Sequence, residues 1–210
     1  MATSQSDLHG NVPDAAHTCL LIIDMINDFA FEEAGKLFPT VMQAAERIAR
    51  LKERAAAAQV PAIYVNDNFG KWRHDFRKLV EYCLTSRCRG QAIAQVLRPG
   101  EHDYFVLKPK HSGFFATPLE LLLKFLGTKR MILTGVAGDT CVLYTAADAY
   151  MRDFTLCVPS DCTVSLDPES NKSALDHMRT ILKADLTPST AIRLHEKEAQ
   201  DDEEIDGNGV

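Results

Sequence analysis

Short apolar runs recur along the chain, and most of them stop at a polar residue or a glycine. Runs of this kind are typical of strands in a parallel sheet that is buried on both faces. The first run, Cys-Leu-Leu-Ile-Ile, ends at Asp24, and a later run, Met-Ile-Leu-Thr, ends at Gly135. The pattern predicts five strands and a short edge strand, at residues 19–24, 61–65, 104–107, 131–134, 154–158 and 184–186.

Between these runs the apolar residues return at helical spacing, as expected of helices that pack on a sheet. Thr117 is predicted to cap one helix, with Pro118 as its first residue and Gly127 as its stop. Because strands alternate with helices, the chain is expected to have an α/β fold with a mainly parallel sheet and helices on both faces. Helices are predicted at residues 39–58, in most of 72–95, and at 118–126, 142–151 and 168–183.

Composition and charge indicate a single soluble domain. The chain has 210 residues, 46% of them hydrophobic and 25% charged, and no apolar run approaches the ~20 residues of a membrane span. Residues 1–17 are polar and lack the features of a signal peptide, so a cytoplasmic location is expected. The domain is predicted to cover residues 18–194.

The net charge of −6 is concentrated at the end of the chain. Residues 195–210 contain seven acids and one base, which leaves the rest of the sequence balanced. We expect this acidic tail to be disordered, and a body without a basic face excludes a nucleic-acid partner. The six cysteines show no Cys-x-x-Cys pair and no zinc-like spacing, so six reduced thiols and no metal site or cofactor are expected.

Three chemically interesting residues fall at the ends of predicted strands. Asp24 ends the first, Lys108 ends the third, and Cys141 follows the fourth at the start of a helix. Because parallel strands share one carboxyl edge, these residues are expected to meet there. A helix N-terminus and an ammonium both favour a thiolate, and a carboxylate can move its proton. The backbone N–H groups of the turn 135–141 can bind an oxyanion, so the set predicts acyl transfer through a thioester.

Each of these residues also has a plainer interpretation. An acid at a strand end often caps a turn, and an unpaired cysteine is often an inert core residue. Lys110 is an alternative to Lys108 in the same loop. His111 receives no catalytic role, because no spacing argument ties it to Cys141.

Taken together, the motifs resemble those of the isochorismatase-like cysteine hydrolases, which include nicotinamidases and N-carbamoylsarcosine amidase. The resemblance covers about residues 19–186. It rests on Leu-Ile-Ile-Asp-Met-Ile-Asn-Asp-Phe ending at Phe29, Lys-Pro-Lys-His-Ser-Gly-Phe ending at Phe114, and Gly-Val-Ala-Gly-Asp-Thr-Cys-Val around Cys141, with Thr117, Leu119, Thr145, Ala146, Asp148 and Ala149.

The resemblance implies a six-stranded, Rossmann-like sheet in a three-layer α-β-α sandwich. It assigns Asp24 as the base, Lys108 as the group that stabilises the thiolate, and Cys141 as the nucleophile. It also implies a cis peptide between Val136 and Ala137, and an oxyanion hole formed by the N–H groups of Ala137 and Cys141. A homo-oligomer, either a dimer or a tetramer, is implied as well.

Two departures from the family pattern reduce the number of family activities that this chain could have. Ile26 stands where many members have Gln, and residues 66–73 lack the Asp-x-His motif of metal-binding nicotinamidases. The Asn-Asp-Asn-x-Gly-x-Trp loop is similar to that of streptothricin hydrolase, a lactam-opening amidase. Isochorismatases proper cleave a vinyl ether without a cysteine nucleophile, so Cys141 favours the amidase branch.

Aromatic residues on loops at the same rim predict a dry, flat pocket for a small amide. Phe29, Trp72, Arg73 and Phe114 are the predicted substrate-binding residues, although Phe29 is equally suited to plugging the core. The sequence therefore predicts a metal-independent cysteine amidohydrolase acting on a linear or cyclic amide. The alternatives are a nicotinamidase with an unusual metal site, and a non-catalytic relative that binds a metabolite.

Overall fold

A parallel sheet forms the centre of the computed structural model, which describes residues 15–68 and 75–194. Within these residues the sheet has six strands, in the order β3-β2-β1-β4-β5, with β6 also paired to β4. Every pairing is parallel. The strands are β1 (Thr18–Ile23), β2 (Ala62–Asp67), β3 (Tyr104–Lys108), β4 (Arg130–Val136), β5 (Thr155–Cys157) and β6 (Thr163–Val164).

Helices cover both faces of the sheet. In the same described residues they are α1 (Ala34–Ala57), α2 (Phe76–Thr85), α3 (Gln91–Val96), α4 (Leu119–Leu126), α5 (Leu143–Tyr150) and α6 (Pro168–Thr180). Successive side chains of a strand point to opposite faces, so Leu20 and Ile22 pack with α1, α2 and α3, while Leu21 and Ile23 pack with α4, α5 and α6. The predicted α/β sandwich with a mainly parallel sheet is confirmed.

Several predicted boundaries differ from the observed ones. Helix α1 begins at Ala34, before Pro39, which lies inside the helix. A proline removes one backbone donor, and near the start of a helix this loss does not stop the helix from forming. The predicted edge strand at 184–186 is reduced to a single bridge between Cys157 and Asp185, and the short strand β6 was not predicted.

The helix predicted after Thr117 starts one residue later than expected, at Leu119. The Thr117 hydroxyl still accepts a hydrogen bond from the Leu119 N–H at 3.2 Å. Gly127 ends the helix with a φ of +72°, as its position predicted. The acidic tail, residues 195–210, lies outside the described residues, as does most of the polar segment 1–17.

Candidate active site

Asp24 follows β1 directly, at the carboxyl edge of the sheet. Its φ is +52°, a left-handed conformation that aspartate tolerates better than most residues. The carboxylate is almost fully buried, and its Oδ1 accepts a hydrogen bond from the Asp67 N–H at 2.6 Å. The left-handed backbone of Asp24 and this hydrogen bond orient Oδ2 towards the end of β3, where it forms an ion pair with Lys108.

Lys108 is the last residue of β3, and its side chain is fully buried. Its Nζ lies 2.8 Å from Oδ2 of Asp24 and 3.4 Å from Sγ of Cys141. A second carboxylate, Asp67, is 3.9 Å away. Burial lowers the pKa of Lys108, but the negative charge of Asp24 opposes this effect, and the pKa is raised overall. The lysine is therefore a fixed ammonium within the site.

Cys141 lies in a π-helical turn, Gly138–Val142, that joins β4 to α5. The peptide bond between Val136 and Ala137 is cis. The Ala137 carbonyl accepts hydrogen bonds from the N–H groups of Thr140 at 3.1 Å and Val142 at 3.0 Å. These bonds close the turn that contains Cys141. The side chain of Cys141 is half-buried.

Gly135 allows β4 to approach β1 just before this turn. Its φ is +117°, and a Cβ at this position would lie 2.0 Å from the Ile23 carbonyl oxygen. Such a contact is far too short for any side chain, so only glycine fits. This close approach brings the turn that carries Cys141 beside Asp24.

The pKa values of Asp24, Lys108 and Cys141, the predicted catalytic trio, indicate which of these groups carries a proton at rest. Burial, followed by the Asp24 carboxylate, raises the pKa of Cys141 to about 11, and Lys108 opposes this rise. Burial likewise raises the pKa of Asp24 against the effect of Lys108. The sequence predicts that Lys108 stabilises the thiolate, and the structure contains this effect, but the charge of Asp24 outweighs it. Cys141 therefore rests as a thiol that is hydrogen-bonded to Asp24.

The four predicted substrate-binding residues occupy different environments. Phe29 is only 1% exposed and packs in the core on the α1 side. Phe114 is also buried, with the Arg152 guanidinium 4.7 Å above its ring. Trp72 and Arg73 lie outside the described residues. A substrate-binding role for these residues remains a prediction.

One buried hydroxyl connects the nucleophile turn to the loop that follows Lys108. Thr145 Oγ1 donates to the Cys141 carbonyl at 2.7 Å and accepts from the Gly113 N–H at 3.0 Å. Beside it, the Ser112 hydroxyl donates to Asp148. Thr145 is among the residues that carry the family resemblance, and the sequence assigns it no role. Its position one helical turn after Cys141 was the available signal, because threonine often bonds the carbonyl four residues before it.

His111 also lies beside the nucleophile, although no feature of the sequence predicts this position. Its Nδ1 is 3.8 Å from Sγ of Cys141, and its ring lies against that of Tyr144 with centroids 5.7 Å apart. Lys110, the alternative to Lys108, is exposed. The conformation of the loop after β3 determines both positions, and spacing along the sequence does not encode it.

Other predicted features concern metals, disulfides and membranes. Within residues 15–68 and 75–194, no group of three His, Cys, Asp or Glu side chains could hold a metal ion. All six cysteines lie in these residues, and no disulfide joins any of them. Over the same part of the chain, none of the helices combines the length and apolar character needed to cross a membrane.

Comparisons with known proteins identify the family of the chain. An isochorismatase domain matches residues 18–190. An uncharacterised isochorismatase family protein of Bacillus subtilis is 40% identical over 84% of this chain and 97% of its own length. Ureidoacrylate amidohydrolase of Methylobacterium radiotolerans is 28% identical over 80% of this chain and 75% of its own. The crystal structure of N-carbamoylsarcosine amidase from Thermoplasma acidophilum superposes with a TM-score of 0.65 and 25% identity, covering 84% of this chain and 98% of that one. The chain belongs to the isochorismatase family.

Proposed function

We propose that this protein is a cysteine amidohydrolase that cleaves a carbon–nitrogen bond of a small amide through a thioester on Cys141. One observation carries the proposal. The Lys108 ammonium lies between the Asp24 carboxylate, at 2.8 Å, and the Cys141 sulfur, at 3.4 Å, on the carboxyl edge of the sheet. A thiol, a proton acceptor and a fixed positive charge are the groups that thiol-based acyl transfer requires.

Acylation begins from the resting thiol. The S–H proton moves to Asp24 as Sγ of Cys141 attacks the carbonyl carbon, and Lys108 remains an ammonium beside both groups. The carbonyl oxygen becomes an oxyanion, which the N–H groups of Ala137 and Cys141 are proposed to bind. When the carbon–nitrogen bond breaks, Asp24 returns its proton to the nitrogen, and ammonia or an amine leaves.

In deacylation Asp24 again accepts a proton and then returns it, with water in place of the thiol as the nucleophile. Asp24, again a carboxylate, removes a proton from water, and the resulting hydroxide attacks the thioester carbon. The carbon–sulfur bond breaks, and the thiolate takes the proton back from Asp24. The sum is one amide and one water converted to one acid and one amine, with Asp24, Lys108 and Cys141 restored.

We propose that this reaction needs no metal. Where metal-binding nicotinamidases have an Asp-x-His motif, this chain has Asp67 followed by Asn68 and Phe69. The Asp67 carboxylate lies 3.9 Å from the Lys108 ammonium, which opposes a cation at the same place. These residues do not fit the nicotinamidase metal centre.

The relatives indicate the substrate class that we propose. Two relatives are named for ureidoacrylate and N-carbamoylsarcosine, both of which carry a terminal urea-type amide. We propose a small-molecule amide of this general kind, with cyclic amides as a second set for trial. We propose a cytoplasmic location, as the sequence predicts. A dimeric or tetrameric assembly is proposed from the family resemblance alone, and light scattering tests it.

The test is ammonia or amine release from a panel of ureido acids, primary carboxamides and lactams. Wild type is compared with Cys141→Ala and with Cys88→Ala, which removes another half-buried thiol. We expect Cys141→Ala to lose activity on every substrate found, Cys88→Ala to keep it, and chelation of metals to leave it unchanged. Turnover by Cys141→Ala at the wild-type rate would disprove the proposal, and loss of turnover on chelation would disprove its metal-independence.

A further inference from the structure

The sulfur of Cys141 has nitrogen groups on two sides. On the buried side is the Lys108 ammonium, and on the exposed side is the His111 ring, with Nδ1 at 3.8 Å. For a bond to sulfur, this distance lies within contact range. The mechanism above uses Lys108 and Asp24 and gives His111 no task.

The charges around the sulfur show why one ammonium is insufficient. Lys108 is paired with the carboxylate of Asp24 and lies near that of Asp67, so two negative charges surround one positive charge. When the thiol proton moves to Asp24, the negative charge moves from the carboxylate to the sulfur, which lies 3.4 Å from the ammonium where the carboxylate oxygen lies 2.8 Å from it. Any further N–H donor on the sulfur lowers the cost of that step, because hydrogen bonds to the charged form of a group favour it.

Two contacts with α5 support the position of the His111 ring. Tyr144, which contacts the His111 ring, lies three residues after Cys141, so the ring contact and the sulfur belong to adjacent turns. The loop that carries His111 is bonded to α5 through Gly113 and Thr145. The imidazole is therefore held beside the sulfur although the residue is exposed.

We propose that His111 is a further catalytic residue, which donates its Nδ1–H to the Cys141 sulfur as the thiol proton moves to Asp24. No proton is gained or lost at the histidine, since the N–H remains on Nδ1 throughout. Both the imidazolium and the neutral ring protonated at Nδ1 can make this bond. The inference rests on the proposed role of Cys141 as nucleophile.

The experiment compares His111→Leu with His111→Asn and with Lys110→Ala. Leucine fills space without a donor, whereas the asparagine amide places an N–H close to the position of Nδ1. Lys110→Ala removes a positive charge from the same exposed loop and controls for a general electrostatic effect. The readout is the rate of Cys141 alkylation by iodoacetamide against pH, with the site identified by mass spectrometry.

We expect His111→Leu to raise the alkylation midpoint and to slow the reaction at pH 8 by about threefold to tenfold, as for a thiol pKa shift of up to about one unit. His111→Asn should recover most of the rate, and Lys110→Ala should match wild type. An unchanged midpoint in His111→Leu, an equal loss in His111→Asn, or an equal loss in Lys110→Ala would each overturn the role of His111. Wild-type Cys141 that resists alkylation at every pH would overturn the proposed function as well, which separates the two failures.

Discussion

The Nζ of Lys108 lies 3.4 Å from the sulfur of Cys141, yet the pKa of that thiol is raised to about 11. Burial is the largest cause, and the carboxylate of Asp24, which is paired with the same ammonium at 2.8 Å, raises the thiol pKa further. In the resting enzyme Asp24 and Cys141 together hold one proton, and Lys108 pairs with the negative charge on Asp24. The site is thus suited to moving a proton between two groups during the reaction.

Replacing Asp24 with asparagine should separate thiol reactivity from turnover. Without the carboxylate charge, the thiol pKa falls and iodoacetamide modifies Cys141 faster than in wild type. Amide hydrolysis should nevertheless fall by about 10²–10⁴-fold, the usual contribution of a general base. Asp67→Asn is the control, because Asp67 lies near Lys108 without facing the sulfur directly, and it should change both rates far less. Slower alkylation in Asp24→Asn would contradict the proposed charge balance.

The contribution of Lys108 is best measured where Asp24 cannot change its own protonation. In wild type, removing the ammonium would leave a buried carboxylate unpaired, and Asp24 would take up a proton. In the Asp24→Asn background, the further change Lys108→Met should raise the Cys141 pKa, because only the favourable charge is lost. Alkylation of the two variants against pH measures this difference. Equal midpoints would show that Lys108 does not stabilise the thiolate.

The pH dependence of kcat/KM should be bell-shaped, with a broad plateau. The active form has one proton on the Asp24 and Cys141 pair. Activity is lost as pH falls, because a second proton neutralises Asp24, and the midpoint should lie above the ordinary carboxyl value of 3.8. It is lost again towards pH 11, where Cys141 gives up its proton. A rate that rises continuously through the alkaline range would show that a free thiolate is the active form.

Thr145 should affect both stability and chemistry through its two hydrogen bonds. Thr145→Val leaves the buried Gly113 N–H without its acceptor and should lower the free energy of unfolding by about 1–3 kcal/mol. It should also lower kcat more than it changes KM, because the loop after Lys108 is no longer held to the turn of Cys141. Thr145→Ser retains the hydroxyl and should restore kcat. If both variants lose stability while kcat stays at the wild-type value, Thr145 only supports the fold.

The sequence predicts the sheet and the location of Asp24, Lys108 and Cys141, because both depend on the order of the strands along the chain and on their parallel direction. Asp24 and Lys108 end buried parallel strands and Cys141 follows another, so their meeting at one edge needs no knowledge of loop conformation. The contact between His111 and Cys141 does depend on it, and no spacing reveals such a contact. The sequence also does not predict the balance of charge around Cys141, because that balance depends on the distances from Lys108 to the carboxylates of Asp24 and Asp67. The start of α1 differs from the predicted start at Pro39, because the apolar face of the helix continues back to Ala34.

The central claim is a covalent intermediate on Cys141, and trapping it is the most direct test. The enzyme is quenched in acid during turnover of an amide identified in the panel, and the intact protein and its peptides are weighed by mass spectrometry. Hydroxylamine is added in parallel, since it diverts a thioester from the acid to the hydroxamate. We predict the mass of the acyl group on Cys141, hydroxamate formation by wild type, and neither product with Cys141→Ala. Full turnover with no adduct and no hydroxamate, or with the acyl group on another residue, would contradict the account.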